Sequence, residues 1–168
     1  MSIRAVADAV GVTPPSIYMH FADKGALMRA VSSSQFCILH DYLEAAVAGI
    51  EDPDEQLRQR GKAYVRFGVE HPEHYRVLFM GRSGAIPKPD DELLAAASGF
   101  SRLVDNIERC MAAGTIARGD PLLVATGLWS LVHGVTSLAI SVPGFPIVGL
   151  DTLLDHVLDA HGRGLAPS

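Results

Sequence analysis

Apolar residues recur along this chain at the three- and four-residue spacing of amphipathic helices, almost from end to end. β-branched alternation is absent, and neither Asn-Gly nor Asp-Gly, the common hairpin turns, occurs. The pattern predicts helices over residues 3–10, 13–20, 23 onward, 54–70, a short stretch after Pro72, 91–113, 121–141 and 150–161. The chain is therefore predicted to be all-α, with a Gly- and Pro-rich loop over residues 81–91.

The first two predicted helices form a compact unit. Gly11 follows the last apolar position of helix 3–10 and is expected to stop it. Thr13 is the predicted cap of the next helix, whose first two positions are Pro14 and Pro15. Backbone N–H groups at these positions lack partners within the helix, so proline loses little there. A short helix, a glycine turn and a second short helix predict a helix-turn-helix.

Residues 121–150 contain no Asp, Glu, Lys or Arg, which raises the question of a membrane span. His133, Pro143 and Pro146, together with several Ser, Thr and Gly residues, disfavour that interpretation. A helix that is apolar all round can instead be buried on both sides in a soluble protein. We expect no membrane association, with one side of this helix meeting its own core and the other a partner.

The last predicted helix has two distinct faces. Its apolar stripe consists of Leu150, Leu153, Leu154, Val157 and Leu158, and Asp151, Asp155 and Asp159 occupy the opposite face. Two such helices from each of two chains would make a four-helix bundle around a two-fold axis. The sequence thus predicts a homodimer that forms through the last two long helices.

Composition and charge narrow the class of protein. With 168 residues, 48% hydrophobic and 20% charged, the chain is globular, and its net charge of −5 argues against non-specific coating of nucleic acid. Residues 1–34 carry three basic and two acidic side chains, a sum of +1, so the remainder carries −6. That asymmetry suits a DNA-facing N-terminus. Cys37 and Cys110 make neither a disulfide framework nor a metal site, and Arg4 and Asp8 interrupt any signal-like apolar run, so a cytoplasmic location is expected.

The segment IRAVADAVGVTPPSIYMHFADKGALMRAV resembles the second, third and fourth helices of a TetR-family repressor. The resemblance rests on Ala5, Ala7, Gly11, Val12, Tyr18, His20, Phe21, Lys24 and Leu27. It implies that residues 1–34 form a helix-turn-helix DNA-binding domain. In that family a long first helix precedes the part where this chain begins. Either the natural chain starts further upstream or the helix has been lost, and without that helix residues 1–34 are expected to be loosely held.

The expected DNA contacts fall into two groups. A recognition helix presents its N-terminal residues to base edges, and by the family pattern the residues that follow contact phosphates. The base-contacting group is Thr13, Pro14, Pro15 and Ser16, and the phosphate-contacting group is Ser2, Tyr18, His20 and Lys24. Thr13 and Ser16 would supply donors and acceptors, whereas the prolines would contact thymine methyls. Ile17 and Phe21 are expected to face the small core of the head.

A second resemblance covers the larger part of the chain. YVRFGVEHPEHYRVLFMGR, followed by LWSLVHGVTSLAI, looks like the C-terminal WHG domain, a ligand-binding domain named for its Trp, His and Gly. The matching residues are His71, Pro72, Glu73, Tyr75, Leu78, Phe79, Trp129, His133 and Gly134. The resemblance implies that residues 35–168 form a helical ligand-binding and dimerisation domain. Gly134 is expected to let another helix approach closely.

An apolar pocket with one or two polar groups is predicted in this domain for a small-molecule effector. Its expected lining is Tyr64, Phe67, Phe79, Phe100, Leu103, Ile107, Met111, Trp129 and His133. For any single member, plain core packing is the simpler interpretation. His133 in particular is interpreted as a core histidine satisfied by a backbone carbonyl.

Catalytic and metal chemistry find little support in the sequence. His71 and His74 could share a helix face, but Pro72 disturbs that helix and no third ligand is evident nearby. No nucleophile elbow, phosphate loop or HExxH motif occurs, so the chain is predicted to be a non-enzyme without metal or cofactor. The leading hypothesis is a ligand-responsive repressor of operator DNA, released by a largely apolar effector. The alternative is a dimeric small-molecule-binding module whose DNA binding is impaired or lost.

Overall fold

The computed structural model describes residues 2–80 and 99–167, and every regular element in these ranges is helical. The elements are α1 (Ile3–Val10), α2 (Pro14–Tyr18), α3 (Lys24–Val47), α4 (Pro53–Glu70), α5 (Pro72–Tyr75), a π-helical segment (Arg76–Met80), α6 (Phe100–Ala113), α7 (Pro121–Ser141) and α8 (Leu150–Leu165). The all-α prediction is confirmed. The predicted loop over 81–91 and the start of the predicted helix over 91–113 lie outside the described residues.

Local capping explains why several helix ends agree with the sequence pattern. The Ser2 hydroxyl accepts a hydrogen bond from the Ala5 N–H at 3.2 Å, and Gly11 ends α1 in the left-handed region at φ 72°. At the second helix the prediction was partly wrong. The Thr13 side chain makes no capping bond and instead lies 2.9 Å from the Ser16 hydroxyl. That helix ends at Tyr18 rather than His20, whereas α8 continues past His161.

We use "head" for α1, α2 and the start of α3, which enclose a small apolar cluster. Ile3, Ala7 and Ile17 are buried there, and Val6, Phe21 and Leu27 pack against them. The inward orientation predicted for Ile17 and Phe21 is confirmed. Because Leu27 belongs to α3, the head is attached to the rest of the chain through that helix.

We use "body" for the remainder, in which α4 packs against α3, α6, α7 and α8. Among the described glycines, Gly68 has the tightest surroundings, where α4 meets α7 and an added Cβ would lie 2.1 Å from Thr136 Cγ2. The expectation of a close approach at Gly134 is not met, since a Cβ there would meet nothing within 4 Å among the described residues. The glycine that brings two helices together is therefore on α4.

The acidic face of α8 forms ion pairs with α4, although its carboxylates stay partly or largely exposed. Asp155 Oδ1 accepts from Arg58 Nη2 at 2.5 Å and from Lys62 Nζ at 2.7 Å, and Arg58 also binds Asp159. The Lys62 hydrogen bond and the charges of both cations lower the pKa of Asp155. Arg66 and Asp151 extend this row of ion pairs at 3.4 Å. The row fixes α8 along α4, which the sequence pattern alone did not indicate.

Among the described helices, α7 is long and apolar enough to cross a membrane by length and composition, with a mean hydropathy of 1.6. One face of α7 packs in the body, through Ala125, Leu128, Val132, Val135 and Thr136. Leu122 and Leu123 on another face are exposed. This arrangement is that of a core helix with a second, uncovered apolar face.

Candidate nucleic-acid interface and internal cavity

The head presents the start of α2 to solvent. The turn between α1 and α2 is closed by a 3.0 Å hydrogen bond from the Val12 N–H to the Ala7 carbonyl. Burial of Ile17 turns one face of α2 inward, so Thr13 and Pro15 are left exposed, and Pro14 and Ser16 are half-buried. The four residues predicted to contact base edges thus lie together at one helix end.

The residues predicted to contact phosphates lie at the start of α1, at the end of α2 and at the start of α3. Ser2, Tyr18, His20 and Lys24 are all exposed. The Ser2 hydroxyl is occupied as an acceptor by the capping bond of α1, which leaves its own O–H available as a donor. Lys24 is the first residue of α3.

Two exposed apolar side chains in this region were not predicted as contacts. Met19 is 83% exposed and Val12 43% exposed, on either side of the proposed recognition helix. Neither packs in the cluster of the head. A helical-spacing argument could have found them, because Ile17 points inward and its neighbours in sequence must then point elsewhere.

The body holds a partly open cavity of about 760 Å³, within the usual size range of small-molecule sites. Its wall is built from α3, α4, the π-helical segment, α6, α7 and α8. Of the residues predicted to form the pocket, those in the wall are Tyr64, Phe79, Phe100, Leu103 and Trp129. Five side chains from four separate elements are thus brought together.

The other four predicted pocket residues lie elsewhere. Phe67 and Ile107 are fully buried in the core, and Met111 packs beside Ile107 in a separate apolar cluster. His133 is not part of the described wall, but its ring contacts those of Phe79 and Trp129, with centroids 5.1 and 5.3 Å apart. Helical spacing could not distinguish residues of the cavity wall from residues of the apolar core, because the side chains of both face the inside of the body.

His133 joins a hydrogen-bonded network behind the wall. The hydroxyl oxygens of Tyr75 and Tyr64 lie 2.7 and 3.1 Å from His133 Nδ1, and the Trp129 indole N–H donates to Tyr64 at 3.2 Å. His133 is therefore satisfied by tyrosine hydroxyls, not by the backbone carbonyl that was expected. The network ties α4, α5 and α7 together next to the cavity.

Burial keeps this network uncharged. It lowers the pKa of His133, raises the pKa of Tyr75 to about 12, and raises the pKa of Tyr64 well above its ordinary value. Each of these shifts disfavours the charged form. The groups therefore act as hydrogen-bonding partners near neutral pH, and the apolar cavity is not exposed to a charge from them.

Several wall residues were missed by sequence reasoning. They are Phe36 and Leu43 of α3, Leu128 and Val132 of α7, Leu158 of α8, and the charged residue Arg60 of α4. Arg60 lies one helical turn before Tyr64, on the same face of α4, which is a signal that the sequence did contain. An arginine in an otherwise apolar stripe is the feature that should have been singled out.

His71 and His74, which were considered as metal ligands, have no third ligand beside them in the described part of the chain. The rings of His71 and His74 have centroids 5.5 Å apart and both contact Phe67. Over residues 2–80 and 99–167, no three His, Cys, Asp or Glu side chains are grouped so as to hold a metal ion. Phe67 meets the His71 ring in a tilted geometry and the His74 ring edge-on.

Comparison with protein families gives two matches that together cover most of the chain. The model for bacterial regulatory proteins of the tetR family matches residues 1–31, and the model for the tetracyclin repressor-like C-terminal domain matches residues 57–161. No curated protein matches the chain significantly in sequence.

Solved structures share the fold. A protein of unknown function from Rhodococcus sp. RHA1 has 25% sequence identity and a TM-score of 0.81, covering 99% of this chain and 86% of its own. A TetR family transcription regulator from Marinobacter aquaeolei VT8 has 19% identity and a TM-score of 0.80, covering 100% of this chain and 86% of its own. AibR, solved with isovaleryl coenzyme A and operator DNA, has 15% identity and a TM-score of 0.74, covering 95% and 86%.

Proposed function

This chain belongs to the TetR family of bacterial regulatory proteins, and we propose that it is a cytoplasmic repressor that releases operator DNA when a small, largely apolar effector binds. The family consists of transcription regulators rather than enzymes. The proposal assigns DNA binding to residues 1–34 and effector binding and dimerisation to residues 35–168, with α3 shared between the two.

The observation that carries this proposal is the continuity of α3 between head and cavity. Leu27, near its start, packs in the cluster of the head, whereas Phe36 and Leu43 line the cavity. The helix has 24 residues, a length of about 36 Å at the usual rise. An effector that displaces Phe36 or Leu43 would therefore move a rigid element that ends in the head.

Operator recognition would use the exposed start of α2. Thr13 and Ser16 would exchange their mutual 2.9 Å hydrogen bond for bonds to base edges, and Pro15 would contact a thymine methyl. Lys24, Tyr18 and His20 would hold the head on the phosphates, which fixes register without sequence information.

A matched pair of charge changes tests this placement by fluorescence anisotropy with the DNA next to the chain's own gene. Lys24→Ala should weaken binding on all sequences and reduce the salt slope by about one. Arg66→Ala, which removes an exposed cation of the body, should change neither. Equal effects of the two changes would overturn the assignment. Binding that ignores sequence and disappears at moderate salt would favour a small-molecule-binding module instead.

The apolar stripe of α8, predicted to form the dimer interface, packs instead against the core of its own chain, through Leu150, Leu153, Leu154, Val157 and Leu158. Dimerisation would therefore use the uncovered apolar surface of α7 and the segment that precedes α8. Leu123 is 70% exposed and Ile147 fully exposed, and Leu122, Leu138, Val142 and Val148 are also exposed. Apolar patches of this kind commonly mark protein interfaces. A two-fold axis there would pair the same patch on both copies and present two heads to a palindromic operator.

Analytical ultracentrifugation of two variants tests whether this surface, rather than other exposed apolar residues, forms the dimer. Leu123→Asp should convert a dimer into a folded monomer, since it buries a carboxylate in the interface. Val10→Asp, at a comparably exposed position of the head, should leave the dimer intact. A wild-type chain that sediments as a monomer at all concentrations would contradict the proposed dimer.

A further inference from the structure

Arg60 is a buried cation in the wall of the cavity. Its side chain is only 9% exposed, and its Nη1 donates to Glu44 Oε1 of α3 at 2.5 Å. Within residues 2–80 and 99–167, its Nε is buried and has no acceptor within hydrogen-bond distance. Buried donors without an acceptor are rare in proteins, so the guanidinium calls for a partner.

The geometry of the guanidinium shows which partner would fit. Nε–H and one N–H of Nη2 point the same way and form a two-pronged edge, while Nη1 lies on the side away from it. Glu44 occupies Nη1, and no described residue accepts from Nε, but Nε has almost no accessible surface, so Nη2 is the atom left to meet an acceptor in the cavity. A carboxylate can accept a charge-assisted hydrogen bond there.

The charges around the cavity limit the partner to a single negative charge. Partial burial raises the pKa of Glu44, but the hydrogen bond and charge of Arg60, aided by His40 and Arg102, lower it overall. Glu44 is therefore ionised and offsets part of the charge of Arg60. Four carboxylates line the cavity, Asp52, Asp54, Glu55 and Asp159, and besides Arg60 so do two other cations, Arg58, which pairs with Asp159, and Arg163. The carboxylates outnumber the cations of the wall, so a phosphate or polyphosphate would be repelled more strongly than a monoanion.

The rest of the wall suits an apolar body. Phe100 and Leu103 of α6 and Trp129 of α7 line the same cavity as Arg60, and Tyr64 lies one turn further along α4. Flat aromatic walls stack well on a ring.

We infer that the cavity binds a monocarboxylate with a ring-containing apolar body, its carboxylate pairing with the guanidinium of Arg60. This inference rests on the proposed function, because it names the chemical class of the effector for the same cavity.

The test compares an acid with its uncharged amide of the same shape. The probes are 6-phenylhexanoate and 6-phenylhexanamide, titrated calorimetrically and by the fluorescence of Trp129, the single tryptophan of the chain. The acid should bind at least about tenfold more tightly than the amide, because charge-assisted bonds are the stronger ones. Acid and amide binding with equal affinity would overturn the inference.

Variants of the ion pair assign that difference to Arg60. Arg60→Met should remove the preference for the acid and change amide affinity by less than about threefold, since the apolar wall remains. Arg60→Lys should bind the acid with intermediate affinity, because it keeps the charge and loses the guanidinium. Glu44→Gln should strengthen acid binding, because a competing carboxylate is removed. An acid preference that survives in Arg60→Met would place the carboxylate elsewhere.

Failure of this inference and failure of the proposed function give different results. If both probes bind equally to all variants, the effector cavity stands and the carboxylate preference is wrong. If neither probe binds the folded wild type, both the ligand class and the effector role of this cavity are wrong. DNA binding is measured separately with Lys24→Ala, so the operator proposal is unaffected by either result.

Discussion

The head and the body of this chain are both helical, but they are held together in different ways. The head encloses three buried side chains, Ile3, Ala7 and Ile17, and a few partly buried neighbours. The body has a much larger apolar core, to which it adds the tyrosine–histidine network and the row of ion pairs between α4 and α8. Cross-links between distant elements are concentrated in the body.

This difference predicts two levels of stability in one molecule. Regions with few buried apolar contacts open at a lower free energy than the core that carries them. The head should therefore open locally while the body stays folded. Local opening suits a part that must adapt to DNA, whereas a fixed body suits a cavity whose shape must select a ligand.

The largest expected loss of stability comes from a substitution at the contact between α4 and α7 in the body. In Gly68→Ala the added Cβ would lie 2.1 Å from Thr136 Cγ2 and 3.1 Å from Tyr75 Cδ2, so the helices must move apart. We expect a loss of about 3 kcal/mol in the free energy of unfolding, measured by urea denaturation. Gly61→Ala on the same helix is the control, since its nearest contact, Leu158 Cδ2, is at 3.4 Å. Equal stability of the two variants would refute the close contact.

A smaller effect should be confined to the head. Ile17→Ala removes one of its buried side chains, which should cost about 2 kcal/mol locally. Amide exchange by mass spectrometry should then speed up in α1 and α2 and stay unchanged in α4. Met19→Ala, at a position that is 83% exposed, should leave both unchanged. If Ile17→Ala also accelerates exchange in α4, head and body unfold as one unit and the comparison is wrong.

The ion-pair row should contribute less than the packed core. Arg58→Ala removes the bonds to Asp155 and Asp159, and we expect a loss of about 0.5 kcal/mol at low salt that shrinks as salt is added. Arg66→Ala, whose pair with Asp151 spans 3.4 Å between exposed groups, should have no measurable effect. A salt-independent loss in Arg58→Ala would indicate lost packing rather than lost charge pairing.

The smallest expected effect is on how the stability of the body depends on pH. Burial lowers the pKa of His133 in the folded body, so below the ordinary histidine pKa of about 6.5 the unfolded chain binds more protons. The stability that neutral His133 contributes is present above that pH and is lost as the pH falls through the folded pKa. The urea midpoint should therefore fall less steeply with acidification in His133→Gln than in the wild type. Identical slopes would contradict the buried, neutral state of His133.

Local features of the sequence were sufficient for much of the architecture. Ser2 and Gly11 bound α1 because capping and the left-handed glycine involve residues close in sequence. The limits of α7 likewise follow from Asp120, which accepts from the Leu122 and Leu123 N–H groups, and from the long uncharged run. Of the predicted pocket residues, Tyr64, Phe79 and Trp129 line the cavity.

What the sequence determined by itself is the order and the approximate limits of the helices, their apolar faces and the family to which the residues point. Only the tertiary structure decided that Arg60 pairs with Glu44 and lies in the cavity wall, that His133 binds two tyrosines, and that the acidic face of α8 meets α4. The physical reason is the separation in sequence between the residues that interact. Helix formation and capping depend on neighbours a few residues away, whereas these pairs depend on which helix faces meet, and many pairings of apolar faces are compatible with one pattern.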